Sequence, residues 1–224
     1  MKKFFLKYKH GLWFLYALLY FPWFSYLEKT VTTNFHEIHM SVDDKIPFCE
    51  FFIIPYFLWF AFIGIGLAYF FLKDAGEFNR LCIFLGVGMT LFLVISTVYP
   101  NGCHLRPETF PRENIFTDLV SRLYATDTST NLFPSIHVYN SIAVCLAVWY
   151  SKHLKTKKVI RWGALVLTIL IILSTMFLKQ HSVFDVLTAF ILCAVMWGLV
   201  YSPHAVWFSK KQKQTAAEKM KPGY

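Results

Sequence analysis

Six runs of apolar residues approach or reach the length that crosses the hydrocarbon of a bilayer, and nothing else in the chain restricts its fold as strongly. They cover approximately Gly11 to Leu27, Phe48 to Leu72, Leu81 to Val98, Ser135 to Tyr150, Val159 to Leu178 and Ser182 to Tyr201. With 56% of the 224 residues hydrophobic and 19% aromatic, the apolar surface exceeds what one water-surrounded core would cover. The expectation is an all-α, polytopic membrane bundle of six transmembrane helices. The first run follows a basic start, Met1-Lys2-Lys3, but ends in Tyr20-Phe21-Pro22-Trp23-Phe24 without a small-residue cleavage site, so it reads as a retained anchor.

The positions of the cations then orient the bundle. Sixteen of the 22 Lys and Arg residues fall on one side: Lys2, Lys3, Lys7 and Lys9; Lys73 and Arg80; Lys152, Lys155, Lys157, Lys158 and Arg161; Lys210, Lys211, Lys213, Lys219 and Lys221. Lys29, Lys45, Arg106, Arg112, Arg122 and Lys179 fall on the other. The positive-inside rule places both termini in the cytoplasm. The net charge of +9 is therefore mostly topological, and nucleic-acid binding does not explain it, since the charges sit at span ends and no recognition module is present. One membrane domain over residues 1–224 with a basic cytoplasmic tail at 207–224 is the simplest organisation. Cys82, Cys145 and Cys193 read as small core residues. Cys49 and Cys103 share the outer side and could pair, with no framework of spacings to support it. Oligomeric state leaves no mark in the sequence.

The outer polar segments hold the chemistry. His36-Glu37-Ile38-His39 and Asp43-Asp44 lie between the first two runs; two histidines three apart could share a helical face and a metal, but without a third ligand a solvated loop or a lid is the simpler reading. In the second run, Pro55, Gly64 and Gly66 fit a kink or close helix packing. The longest loop begins after Tyr99-Pro100, contains Arg106-Pro107 and closes on Pro134-Ser135-Ile136-His137. The fourth run thus opens with Ser135 and His137 in its first turn, where unsatisfied backbone N–H groups favour an anion. Between the fifth and sixth runs stands Ser174-Thr175-Met176-Phe177-Leu178-Lys179-Gln180-His181-Ser182-Val183-Phe184-Asp185. The four-residue spacing of His181 and Asp185 puts both on one helical face, where the carboxylate would fix the imidazole tautomer. A structural pair capping a helix start is the plain alternative. Because the fourth run goes inward and the fifth returns outward, His137 and His181 must lie at similar depth beside the Arg106 loop, a constellation suited to phosphoryl transfer.

These residues resemble the type 2 phosphatidic acid phosphatase superfamily of membrane lipid-phosphate phosphatases and phosphotransferases, whose motifs run Lys-x6-Arg-Pro, Pro-Ser-x-His and Ser-Arg-x5-His-x3-Asp. The second is complete at Pro134–His137; the third appears as Ser174-Thr175, His181 and Asp185; the first keeps Arg106-Pro107 but has Tyr99 at its lysine position. The resemblance covers about residues 99–188. It implies a lipid phosphate or diphosphate substrate, no cofactor and no metal. His181 would be the nucleophile oriented by Asp185, and His137 the general acid and base. Arg106, Ser135, Ser174 and the helix-start amides would bind the phosphoryl oxygens. Tyr99 and Thr175 remove two of the family's cations, for which Lys179, Arg112 or Arg122 could substitute. Similar losses resemble the inositol-phosphorylceramide and sphingomyelin synthase branch, where an alcohol accepts the phosphoryl group, so hydrolysis and transfer both remain open. A non-enzymatic carrier is disfavoured by the charge-free span interiors. A metal hydrolase built on His104, His137, His181 and Asp185 lacks a usual ligand pattern.

Overall fold

A computed structural model describes residues 8–202; the amino-terminal Lys2, Lys3 and Lys7 and the tail at 207–224 lie outside the described residues. The chain is mostly helical. A 3-10 segment, Lys9–Tyr16, continues into α1 (Ala17–Thr30). Then come α2 (Ile53–Lys73), α3 (Ala75–Val98), the short α4 (Ile115–Thr126), α5 (Ile136–Tyr150), α6 (Lys158–Phe177) and α7 (Val183–Val200). Among the described residues, four segments are long and apolar enough to cross a membrane: Glu50–Lys73, Ala75–Val98, Lys158–Phe177 and Val183–Val200. Of the two remaining apolar runs, one is the 15-residue α5 and the other is divided between the 3-10 segment and α1.

The shortest apolar helix occupies the centre. α5 packs against α2, α3, α6 and α7, and Val138, Tyr139, Ala143, Val144, Ala147 and Val148 are all buried on it. Two glycines allow the close approach. A Cβ on Gly66 of α2 would stand 2.8 Å from Val144, and one on Gly88 of α3 would stand 2.0 Å from the Tyr139 ring. Gly64, in contrast, faces open space. The outward faces stay apolar: Ile54, Phe60 and Ile65 on α2, Val159 and Val166 on α6, and Leu187, Ile191 and Val195 on α7 are exposed. Such surface in water would be a large unfavourable patch; against lipid it is the expected covering.

The structure starts α3 earlier than the apolar pattern does. Asp74 alone separates it from α2, and its carboxylate accepts from the Gly76 and Glu77 amides, both at 2.9 Å. That cap satisfies the first orphan donors and lets the helix begin at Ala75, within a polar stretch. The same corner joins the loop before α6: Lys152 Nζ lies 2.5 Å from Asp74 Oδ2, and Glu77 accepts from Ser151 Oγ at 2.7 Å and Lys152 N at 2.9 Å.

At the opposite end, the long loop is partly ordered as α4, which its polar sequence did not announce. Asn114 and Thr117 form a reciprocal capping box at its start. Glu50 anchors this start to the beginning of α2, accepting from Asn114 Nδ2 at 3.1 Å and lying 3.2 Å from Arg112 Nε. His36-Glu37 is not helical: it forms a two-residue strand, β1, paired in parallel with β2 (Asn101-Gly102). His36 stacks on Tyr99 at 4.1 Å, and His39 bonds Asp44 at 2.9 Å. Cys49 and Cys103 are both free thiols; burial pushes that of Cys103 up to about 12.

Candidate active site

Three turns converge at the N-terminal end of α5. Ser135 caps α5 through its hydroxyl, which accepts from Val138 N at 3.4 Å, and its amide donates to the Asp185 carbonyl at 3.3 Å. This ties the start of α5 to the first turn of α7. The C-terminus of α6 is tied in as well, because the amides of Gln180 and His181 both donate to the Thr175 carbonyl, at 2.9 and 3.1 Å. Lys179 makes the reversal with φ 54°, in the left-handed region.

His181 precedes the Ser182 cap of α7 and therefore stands just outside the helix, not on its face as the four-residue spacing alone implies. Its Nδ1 nevertheless lies 3.3 Å from Asp185 Oδ2. The same oxygen accepts from Ser182 N at 3.0 Å, completing a capping box. Asp185 is therefore both a helix cap and the imidazole's orienting group, and the two readings of the pair coexist. With Nδ1–H directed to the carboxylate, Nε2 carries the lone pair, and it faces His137 Nδ1 at 3.5 Å. His181 is only 5% exposed and Asp185 wholly buried. His137 is half-buried under two aromatic rings of α2, Tyr56 at 4.8 Å and Trp59 at 4.5 Å.

Arg106 reaches the same place from the long loop. Its guanidinium lies 4.5 Å from the centre of the Tyr124 ring and donates to Tyr124 O at 3.2 Å, Thr128 O at 2.8 Å and Gln180 Oε1 at 2.6 Å. Next to it, Asp127 accepts from Tyr56 OH at 3.1 Å. Burial raises the Asp127 carboxyl, nearby Glu28 raises it further, and Arg106 and His181 pull it back only in part. Glu28 accepts from Thr128 Oγ1 at 2.6 Å and Asn131 Nδ2 at 2.9 Å, drawing the end of α1 to the loop.

The other predicted phosphate ligands are placed differently. Ser174 turns its hydroxyl onto Ile171 O at 2.6 Å, and Thr175 onto Ile172 O at 2.8 Å. Lys179 Nζ donates to Asp43 O at 2.6 Å. Arg112 is held by Glu50, and Arg122 is exposed on α4. His104 is exposed against Phe35, and no group of three or more potential metal ligands converges among the described residues.

Sequence reasoning missed Asp43. Treated as part of a solvated loop or lid, it is 2% exposed and accepts from Ser182 Oγ at 2.6 Å, Val183 N at 2.8 Å and Met40 N at 2.8 Å. It thus caps α7 immediately beside His181, from a position 139 residues away from Ser182. No local pattern could have named that helix as its partner. Tyr56, Trp59, Asp127 and Gln180 escaped notice for the same reason.

The PAP2 superfamily matches residues 84–208, more than half of the 224. The chain belongs to the PAP2 superfamily. The match contains His137, His181, Asp185 and Arg106. No curated protein and no solved structure matches the chain. Membership supports a phosphatase or phosphotransferase type of chemistry on a lipid phosphate. Within the PAP2 pattern, the lysine position is filled by Tyr99 under the His36 ring and the arginine position by a buried threonine hydrogen-bonded to its own helix.

Proposed function

We propose that this protein is an integral membrane lipid-phosphate phosphatase acting on a phosphomonoester or diphosphate lipid through a phosphohistidine at the outer face of a six-span bundle. The observation that carries this reading is His181, with one nitrogen on Asp185 at 3.3 Å and the other facing His137 at 3.5 Å. Nε2 of His181 attacks phosphorus, the bond from phosphorus to the lipid oxygen breaks, and His137, protonated beside the bound phosphate, gives its proton to that oxygen. Asp185 stabilises the positive charge on His181. Neutral His137 then takes a proton from water as the water oxygen bonds to phosphorus and the P–N bond breaks, which releases phosphate and restores His181. A tetrahedral phosphoryl group does not fit in the present gap between the two rings, so binding requires them to part.

Arg106, bonded to the Gln180 that precedes His181, supplies a full positive charge, and the first-turn amides of α5 add partial charge as oxygen charge develops. Ser135 sits at that helix start; Ser174 would have to turn its hydroxyl away from Ile171 to join, and Lys179 adds field from its anchorage on Asp43. A second reading, transfer of the phosphoryl group to an alcohol, is favoured by the replacement of two family cations by Tyr99 and Thr175. Phosphate release from a panel of lipid phosphates in detergent, with and without alcohol acceptors, tests both. Release without acceptor, abolished in His181→Ala together with the trapped phosphoenzyme, is the expected result. Product formed only with an alcohol would establish transfer, and substantial activity in His181→Ala would overturn the mechanism.

A further inference from the structure

We propose that Gln180 is a phosphoryl-oxygen ligand: its side-chain amide N–H, together with Arg106 Nε–H, occupies the role that a second guanidinium would otherwise fill. This rests on the phosphohistidine reading of His181 and deepens it. Three facts converge. Gln180 immediately precedes His181 and is 2% exposed. Its orientation is fixed, because Oε1 accepts from Arg106 NH2 at 2.6 Å, so the amide nitrogen must point away from the guanidinium. And both Gln180 Nε2 and Arg106 Nε are buried with no hydrogen-bond partner among the described residues. A buried donor without an acceptor is costly, and two such donors on side chains hydrogen-bonded to each other point to a shared acceptor.

A tetrahedral oxyanion offers acceptors on several oxygens, so it can take both donors at once, as a carboxylate or phosphate does with a guanidinium fork. The other stand-ins for the missing cation are placed elsewhere: Arg112 on Glu50, Lys179 on the Asp43 carbonyl, and Arg122 exposed on α4. Thr175, at the family's arginine position, has its hydroxyl on Ile172 O. Its carbonyl, however, receives the amides of both Gln180 and His181 and so fixes their backbones together. The residue that lost the cation thus holds in place the one that replaces it.

Orthovanadate, a phosphoryl mimic, tests the assignment on the purified full chain in detergent, read by inhibition and by thermal shift. Gln180→Met removes the donors without adding charge, and Gln180→Glu keeps an acceptor for Arg106 but turns the donor into an anion. Both should weaken vanadate by about 10-fold or more, the equivalent of about 1.4 kcal/mol, while the Glu variant keeps a melting temperature close to the unaltered chain. Unchanged vanadate affinity in folded Gln180→Met overturns the proposal. Should Gln180→Met not fold, the unaltered chain decides: vanadate should shield Arg106 from phenylglyoxal, and equal modification with and without vanadate overturns the assignment. An unaltered chain that neither binds vanadate nor forms phosphohistidine removes the His181 reading and this one with it. If it does both and Gln180→Met binds as tightly, only the role of Gln180 falls.

Discussion

His181 and His137 differ in what stands behind them, and the proposed division of labour rests on that difference. His181 has Asp185 at 3.3 Å, whereas His137 has aromatic rings at 4.5 and 4.8 Å and, among the described residues, no carboxylate bonded to it. His137→Ala should therefore slow turnover by about 100-fold or more, the usual scale for acid–base catalysis. The loss should be greatest for poor leaving groups, and an activated ester should let phosphoenzyme accumulate on His181. Trapped phosphate on His137 would reverse the assignment. Asp127 gives a prediction of another kind. Its folded pKa is raised, first by burial and next by Glu28, so between the ordinary value of 3.8 and the raised one the native state holds more protons than the unfolded state. Stability therefore falls as pH rises through that window. Asp127→Asn, which can still accept from Tyr56, should raise the melting temperature at neutral pH and lose that advantage below the ordinary carboxylate range; a gain independent of pH would refute the electrostatic cause. The juxtaposition of His137, His181 and Asp185 was legible in sequence because motif spacing is local and the residue types carry its chemistry. Asp127, Tyr56 and Gln180 were not, because their meaning is a contact across 71 residues for the first two and 74 for Gln180 with Arg106.

Among the elements, α7 shows best how a distant loop sets the turn that carries His181. Its first donors are met by Ser182, Asp185 and Asp43, and the last of these also accepts from Met40 N. Removing the Asp43 carboxylate leaves Val183 N and Met40 N without their acceptor, a cost of about 2–3 kcal/mol, and frees the turn that carries His181. Asp43→Ala should lower the melting temperature and reduce activity more than an exposed neighbour such as Asp44→Ala does. Equal, small effects of the two would show that the loop is a passive cover. The Asp74 corner, at the other end of the bundle, is held by charge. Burial pushes Asp74 up, but Lys152 and the Glu77 amide outweigh it and bring it down to about 2. Its contribution is thus complete above 3.8 and is lost only as pH falls toward 2. Apolar periodicity found every long helix but started α3 at Leu81, because a capped first turn is polar by nature and leaves no hydrophobic trace. α4 was missed for a related reason: its identity rests on the Asn114–Thr117 box and on packing of Val120 and Leu123 against Ile53 and Tyr56.

On the scale of the whole molecule, the unequal helix lengths bear on where the substrate meets the site. α5 has 15 residues and so spans about 22 Å at 1.5 Å per residue, against a hydrocarbon core of about 30 Å. A lipid-facing helix so short would be mismatched, but α5 is enclosed by α2, α3, α6 and α7 and its length is not set by lipid. A crossing α5 would then hold His137, in its first turn, several ångströms below the surface, near the depth at which a lipid's phosphate joins its hydrophobic part. This requires α5 to cross, placing the Arg106 loop and the Lys152–Arg161 segment on opposite sides, with the cation-rich segment in the cytoplasm. Cysteines introduced at exposed Glu108 and exposed Lys155 test it with a membrane-impermeant maleimide, the five native cysteines serving as the background in the unaltered chain. Glu108→Cys should label in intact cells and Lys155→Cys only after permeabilisation. The reverse pattern would invert the orientation and put the histidines on the cytoplasmic face. Labelling of both from one side would mean that α5 does not cross, and the depth argument for lipid access would fall with it.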